Sequence, residues 1–227
     1  MSGFEAFNQN GFKIAGSDYP NLVFYGKGKL TLSAYNMYGN GFDGAGYIGY
    51  AALPTDGATL RFYRSPVPVV ERQGALWGQT PGHEVEYFAF GPVRASGSMG
   101  LDVFGPDEKL KFSTSSPFLQ LAGVFIDGSG PSRSSYGLQT GFSAPGRIYA
   151  ATLGNGHCLF HLVRPAGRPY NVSYEFQRMA CLDANGVYSS ALVGTLFWTH
   201  PWEPRRIEVY PNGGSPQRLL VADVTDL

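Results

Sequence analysis

Apolar and polar residues alternate in short runs along the whole chain, and the clearest of these runs opens it. In Gly3–Gly26, GFEAFNQNGFKIAGSDYPNLVFYG, the segments Phe4-Glu5-Ala6-Phe7 and Phe12-Lys13-Ile14 read as two strands joined through Asn10-Gly11. Asn-Gly accepts positive φ at both central turn positions, which suits the twist of paired antiparallel strands. Ser17, Asp18 and Pro20 interrupt the run before Leu22-Val23-Phe24-Tyr25 resumes it. The pattern returns at Gly100–Gly123, GLDVFGPDEKLKFSTSSPFLQLAG, where Gly3 to Phe7 align with Gly100 to Phe104. Phe12-Lys13-Ile14 aligns with Leu110-Lys111-Phe112 once a residue is added in the turn. A fainter third copy is Ile207-Glu208-Val209-Tyr210, turning through Pro211–Pro216 into Leu219-Leu220-Val221. Side chains alternate faces along a strand, so each copy sets apolar residues on one face and an acid beside an aromatic on the other.

The same period of two continues beyond the first hairpin. Gly28–Leu32, Ala58–Arg64, His83–Phe90, Arg147–Leu153, Cys158–Val163, Tyr170–Phe176, Val187–Trp198 and Arg206–Val221 read as strands. Ser65-Pro66-Val67-Pro68 reads as an edge or loop, because proline cannot donate to a sheet ladder. Glu71–Gly82 reads as a turn-rich link around Trp77, and Asp127–Gly146 as a long Gly/Ser/Pro region. Phe118–Ile126 is almost continuously apolar and predicts a fully buried strand. No segment sustains apolar spacing of three and four residues, so helix is confined to a single turn near Met179–Leu182. The expected fold is all-β, an antiparallel sandwich or jelly-roll-like arrangement with a repeated hairpin opening each half. Gly91–Met99 is the candidate boundary, giving halves 1–95 and 96–227 or one continuous domain.

Composition supports this reading and narrows the function. The chain of 227 residues holds 31 glycines and 16 prolines, as many short strands and tight turns require. Seventeen basic residues balance 17 acidic ones, so no field of clustered Lys and Arg offers itself to nucleic acid. The longest nearly apolar stretch, Ala191–Trp198, is far short of the roughly 20 residues of a bilayer span, and no transmembrane segment is expected. The N-terminus lacks a basic segment followed by an apolar core, so synthesis in the cytoplasm is expected. Cys158 and Cys181 do not make a disulfide framework, and whether they bridge stays open.

Candidate chemistry is thin. Gly39, Gly41, Gly44 and Gly46 imitate a dinucleotide fingerprint, but no helix follows to receive a phosphate. His157, Cys158, His161 and Cys181 are possible zinc ligands, yet on a strand Cys158 faces away from the two histidines. No cofactor and no metal are expected. The acids fall mostly in turns (Asp18, Asp56, Asp107, Asp127, Asp183), where they bond nearby backbone. No nucleophile elbow or cysteine-protease signature is present, so no residue is assigned a catalytic role. The most informative stretch is Tyr35–Tyr50, YNMYGNGFDGAGYIGY. It joins Tyr35, Tyr38, Phe42, Tyr47 and Tyr50 to Gly and Asn, a composition that binding loops share. With Asp43 its only acid and no Lys or Arg, it reads as a loop packing on its own sheet, on a neighbouring subunit or on a receptor.

An N-terminus of the form GFEAFNQNGFKI followed by Ser-Asp-Tyr-Pro-Asn-Leu resembles small virion proteins from the tail tip or baseplate of long-tailed, siphovirus-like bacteriophages. The resemblance covers about the first 35 residues and part of the Gly100 echo. It implies a non-enzymatic structural role in virion assembly and host attachment, located in the tail after synthesis in the host cytoplasm. It further implies a homotrimer in contact with other tail proteins, and a host surface receptor or glycan as a further partner. The alternatives are a receptor- or carbohydrate-binding module, with Tyr38, Phe42, Trp198 and Trp202 as stacking platforms, and a glycan hydrolase.

Overall fold

The structure, a computed structural model, describes residues 5–7, 13–16, 22–36, 47–94, 101–105, 107–113, 115–128, 134–153, 158–163, 170–201, 208–209 and 217–227. Every regular element in them is a strand. In the first half these are β1 (Glu5–Phe7), β2 (Lys13–Gly16), β3 (Leu22–Thr31), β4 (Ser33–Asn36), β5 (Tyr47–Ala52), β6 (Leu60–Arg64), β7 (Val69–Arg72), β8 (Ala75–Gly78) and β9 (Glu84–Pro92). The second half supplies β10 (Asp102–Phe104), β11 (Leu110–Ser113), β12 (Gln120–Asp127), β13 (Ser134–Gln139), β14 (Tyr149–Leu153), β15 (Cys158–Val163), β16 (Tyr170–Leu182), β17 (Val187–Pro201), β18 (Glu208–Val209) and β19 (Gln217–Asp223). Two hairpins, β1-β2 and β10-β11, stand apart from a six-stranded sheet, β12-β19-β14-β6-β9-β3, and a nine-stranded sheet that follows β13-β17-β16-β7-β8-β5-β4, with β15 branching from β16 and β18 beyond it. Strands from before and after residue 95 share both large sheets, through β6 beside β14 and β7 beside β16.

The all-β sandwich expected from the sequence is what forms. Between the sheets, Leu32, Ala51, Tyr63, Val69, Leu76 and Val85 make one core, and Ala151, Ala180, Leu182, Tyr188, Leu219 and Val221 make a second. Each core draws residues from both sheets. Alternation puts Phe62, Phe88, Phe90, Ala150 and Ala222 on the opposite face of the six-stranded sheet, where they are buried too. That face is concave. Phe24 and Leu22 of β3 exchange backbone hydrogen bonds with Pro117 (2.8 Å) and Leu119 (2.9 Å), while Gln120, one residue on, pairs with Asp223 at the far edge. The two edges of the sheet therefore meet at this end, and Leu22, Phe24, Leu119, Val224 and Leu227 close the third core.

The echo between the halves is real and closer than the letters suggest. Glu5, Ala6 and Phe7 pair with Gly16, Ala15 and Lys13; Asp102, Val103 and Phe104 pair with Ser113, Phe112 and Leu110. Every position in the second hairpin lies 97 residues after its counterpart, and both hairpins bulge at the same step. No residue is added in the turn, so Lys13, not Phe12, corresponds to Leu110. The same displacement carries β3 onto β12, with a second shared bulge at Phe24/Gly26 and Leu121/Gly123. Next inward, β9 matches β19 and β6 matches β14, which pair with each other at the centre. The six-stranded sheet thus has an internal two-fold, which antiparallel pairing at its centre and at its closed end permits.

Several expectations are corrected. Glu71–Gly82 is no link: β7 and β8 form a hairpin through Gln73 and Gly74, both at positive φ (52° and 73°). This is the two-residue turn whose twist matches paired strands. The turn of helix near Met179–Leu182 is the end of β16, continuous with the period-two pattern from Tyr170. Within Asp127–Gly146 lies β13, which pairs with β17. The third hairpin does not form, because β18 pairs with β15 while β19 lies between β12 and β14. The apolar run Phe118–Ile126 gives β12, which is an edge strand and not a buried one.

Candidate functional site

Two of the five aromatic candidates meet on the nine-stranded sheet. Ser33 lies opposite Tyr50, Tyr35 opposite Ile48, and Tyr50 opposite Trp77, so Tyr35, Tyr50 and Trp77 share a face. The alternate positions, Ala51 and Leu76, point into the core between the sheets. Ring centroids are 5.6 Å apart for Tyr35–Tyr50, 5.2 Å for Tyr35–Trp77 and 4.9 Å for Tyr50–Trp77, at tilted or edge-on angles. Such pairs contribute about 0.5–1.5 kcal/mol each beyond area burial. Tyr35, on the last strand of the sheet, remains 46% exposed. Tyr47 belongs to β5, opposite Asn36; Tyr38 and Phe42 lie outside the described residues. The stretch is therefore not a loop throughout, since both its ends are ladder-paired strands. Sequence reasoning missed Trp77, which lies on β8 of the hairpin that the Gln73-Gly74 turn makes with β7.

Charge is handled by pairing. Arg61 projects between the sheets with its side chain 8% exposed, held by Asp56, by Glu71 at 3.3 Å and by the Pro54 carbonyl at 3.0 Å. The Tyr63 hydroxyl donates to Glu71 at 2.5 Å, and burial followed by that bond pushes its pKa far above the ordinary tyrosine value. This cluster ties the 54–56 segment and β7 to β6, a structural function. In the second half Arg178 and Asp127 lie 3.9 Å apart in the core, and Tyr188 donates to Gln217 at 3.1 Å.

A cleft of about 410 Å³ opens where β3, β6 and β9 approach the turn between β16 and β17. Lys29, Arg64, Glu84, Glu86 and Asp183 line it. Lys29 holds Glu84 at 2.7 Å and Arg64 holds Glu86 at 3.0 Å. Asp183 caps its own turn, accepting from the Asn185 and Val187 amides at 2.8 Å each. Glycoside hydrolysis requires two carboxyl groups facing across roughly 5–9.5 Å. Here the two glutamates are neighbours on one face of a single strand, each engaged with a cation.

Of the zinc candidates, Cys181 is a buried free thiol, and burial pushes its pKa up to about 12. Cys158 lies opposite Gln177 in the β15–β16 ladder and His161 opposite Tyr174; His157 is outside the described residues. Among the described residues no group of three or more His, Cys, Asp or Glu side chains could hold a metal ion, and no helix is long and apolar enough to cross a membrane. Comparison of the chain with protein-family models, curated proteins and solved structures returns no match.

Proposed function

We propose that this chain is a non-enzymatic structural component of a bacteriophage tail tip or baseplate, assembling with copies of itself as a trimer and with other tail proteins. The observation that carries the reading is the Tyr35–Tyr50–Trp77 cluster at the β4 end of the nine-stranded sheet. Three contiguous rings with their outermost member half exposed form a rigid amphipathic anchor, the kind of residue set that concentrates contact energy in interfaces. The N-terminal resemblance supplies the setting in a virion.

Replacing Tyr35 by serine tests it. Full burial of a tyrosine is worth about 1.5–3 kcal/mol and Tyr35 is already about half covered by its own chain, so incorporation into particles should fall roughly 3- to 10-fold. The isolated chain should stay folded, its stability lowered by about 1–3 kcal/mol through the two ring contacts to Tyr50 and Trp77, so incorporation is compared at a temperature where the variant is fully folded. Normal incorporation with loss of adsorption to host cells would transfer the surface to receptor binding. Normal incorporation and normal adsorption would refute the reading of this cluster.

A further inference from the structure

The two-fold inside the six-stranded sheet provides a control for its own surface. β3 and β12 occupy equivalent edges, bulge at equivalent residues and pair with equivalent strands, yet they differ in what they show to solvent. Position for position, Lys27 corresponds to Val124 and Lys29 to Ile126. Lysine on an edge strand is a device against unwanted pairing. In the first half the device is in place, with Lys27 bonded to the Leu227 carbonyl at 2.6 Å and Lys29 paired with Glu84. In the second half it is replaced by aliphatic side chains that stay in water: Leu121 is 58% exposed, Val124 49% and Ile126 54%. The one ionisable residue of β12, Asp127, is turned inward and buried with Arg178.

We propose that β12 is the surface through which two copies of this chain associate, strand against strand and antiparallel, about a two-fold axis. A second copy is the occupant that the chemistry fits. The edge has no charge for a charged partner to complement, and an antiparallel pair of identical strands is self-complementary. The chain already joins its own halves in this manner, at β6–β14 and where residues 22–24 meet 117–119. Association would extend the sheet and bring Val124 and Ile126 against their copies beyond the bulge. Arg218, opposite Ile126 on β19, would not oppose its counterpart, since the two β19 strands would stand three strand spacings apart, roughly 14 Å. That exceeds the screening length at physiological salt. The contact is separate from the Tyr35 cluster and does not rest on the virion reading.

Sedimentation of the purified chain tests it. The wild type should associate reversibly with even stoichiometry, as a dimer, or as a hexamer if a threefold contact operates elsewhere. The double variant Val124→Lys/Ile126→Lys installs the residues that the first half tolerates at the same positions. It should remain folded by circular dichroism and associate at least 100-fold more weakly, halting at the monomer or the trimer. Val124→Glu/Ile126→Glu should do the same, and an equal mixture of the two variants should reassociate, because opposite charges then face each other across the axis. A wild type that stays monomeric, or an oligomer whose mass neither variant changes, overturns the proposal. Variants that dissociate but fail to reassociate on mixing overturn the strand-to-strand pairing.

Discussion

Replacing Gly78 by alanine should destabilise the fold, and removing most of Leu32 in the same molecule should abolish that cost. Leu32 is fully buried where the chain passes from the six-stranded to the nine-stranded sheet. Its backbone is pinned on both sides, its N–H to the His83 carbonyl at 2.9 Å and its carbonyl to the Gly82 N–H at 2.7 Å. The side chain fills the space over Gly49 and Gly78. A methyl on Gly78 would fall well inside contact distance of the Leu32 terminal methyl, while its other near neighbour, Val69, stays at an ordinary 3.6 Å. Overpacking of this kind costs about 1–3 kcal/mol. Leu32→Ala alone should cost about 2–5 kcal/mol as transfer and cavity terms add. In the double variant the clashing methyl is gone and the new one occupies part of the void, so the total should not exceed that of Leu32→Ala. The coupling is then about 1–3 kcal/mol in the stabilising direction. Gly49→Ala is the control, since its methyl would lie 2.7 Å from the Leu32 Cβ and 2.7 Å from the Thr80 carbonyl oxygen. Both atoms survive Leu32→Ala, so no rescue should occur there. Urea unfolding followed by tryptophan fluorescence reads the wild type, the three single variants and the two double variants. Additivity of Leu32→Ala and Gly78→Ala within about 0.5 kcal/mol would refute the packing argument.

Glu71→Gln should lower stability by about 1 kcal/mol, because Arg61 keeps Asp56 and Tyr63 keeps an acceptor while a charge pair that is exposed on the Glu71 side is lost. At this chain length that is a fall of roughly 2–4 °C in thermal unfolding, and added salt should reduce the difference. Cys181 should resist a thiol reagent at pH 8 in the folded chain and react at once in denaturant. Its thiol ionises at about 12 in the fold against an ordinary 9.0, so above pH 9 the unfolded chain binds fewer protons than the folded one. Stability should therefore fall as pH rises from 9 towards 12, with Tyr63 and Tyr188 adding to the loss above their ordinary 10.0. Cys181→Ala should flatten that slope by up to ~1.4 kcal/mol per pH unit, and an unchanged slope would refute the assignment.

The fold class and the two opening hairpins were legible because they rest on local rules. Period-two alternation is a property of a few adjacent residues, and it located β1, β2, the strands of the six-stranded sheet and β15 to β18 of the other. By contrast β4, β5, β7, β8 and β13 were not read as strands, and the Asn10-Gly11 turn lies outside the described residues. What failed needed partners distant in the chain. The 118–126 run is apolar enough for a central strand, yet among the described residues it meets β3 only at Phe118 and Leu119, and beyond them β12 is laddered on one side alone. Apolarity cannot distinguish a strand covered by its own sheet from one covered by something else. Gln73-Gly74 escaped notice because glutamine seldom takes positive φ, and neither Val69–Arg72 nor Ala75–Gly78 alternates in a way that announces a strand. At the candidate site, Tyr35 and Tyr50 were found through composition. Trp77 could not be joined to them, because it reaches them only through the β5–β8 ladder.

The internal two-fold also explains why the repeat fades in the sequence after the hairpins. Equivalent positions of the two halves point into the same concave space, so their volumes must be complementary. Phe90 corresponds to Ala222, Phe88 to Leu220, Phe62 to Thr152 and Leu60 to Ala150. In each pair the first half is the larger. Two full sets of phenylalanines would overfill a core packed to crystalline density, and two sets of alanines would leave voids at a cost of several kcal/mol. One half supplies the bulk, with Phe62 and Phe90 in edge contact at 5.7 Å, and the other supplies the room. Val224 and Leu227, which follow β19, fill what remains. The backbone can keep its symmetry, bulges included, because hydrogen bonding does not depend on side-chain identity. The side chains must break that symmetry because they share one interior. On the outer edges the constraint is absent, and there the change from Lys27 and Lys29 to Val124 and Ile126 has no packing reason within the chain.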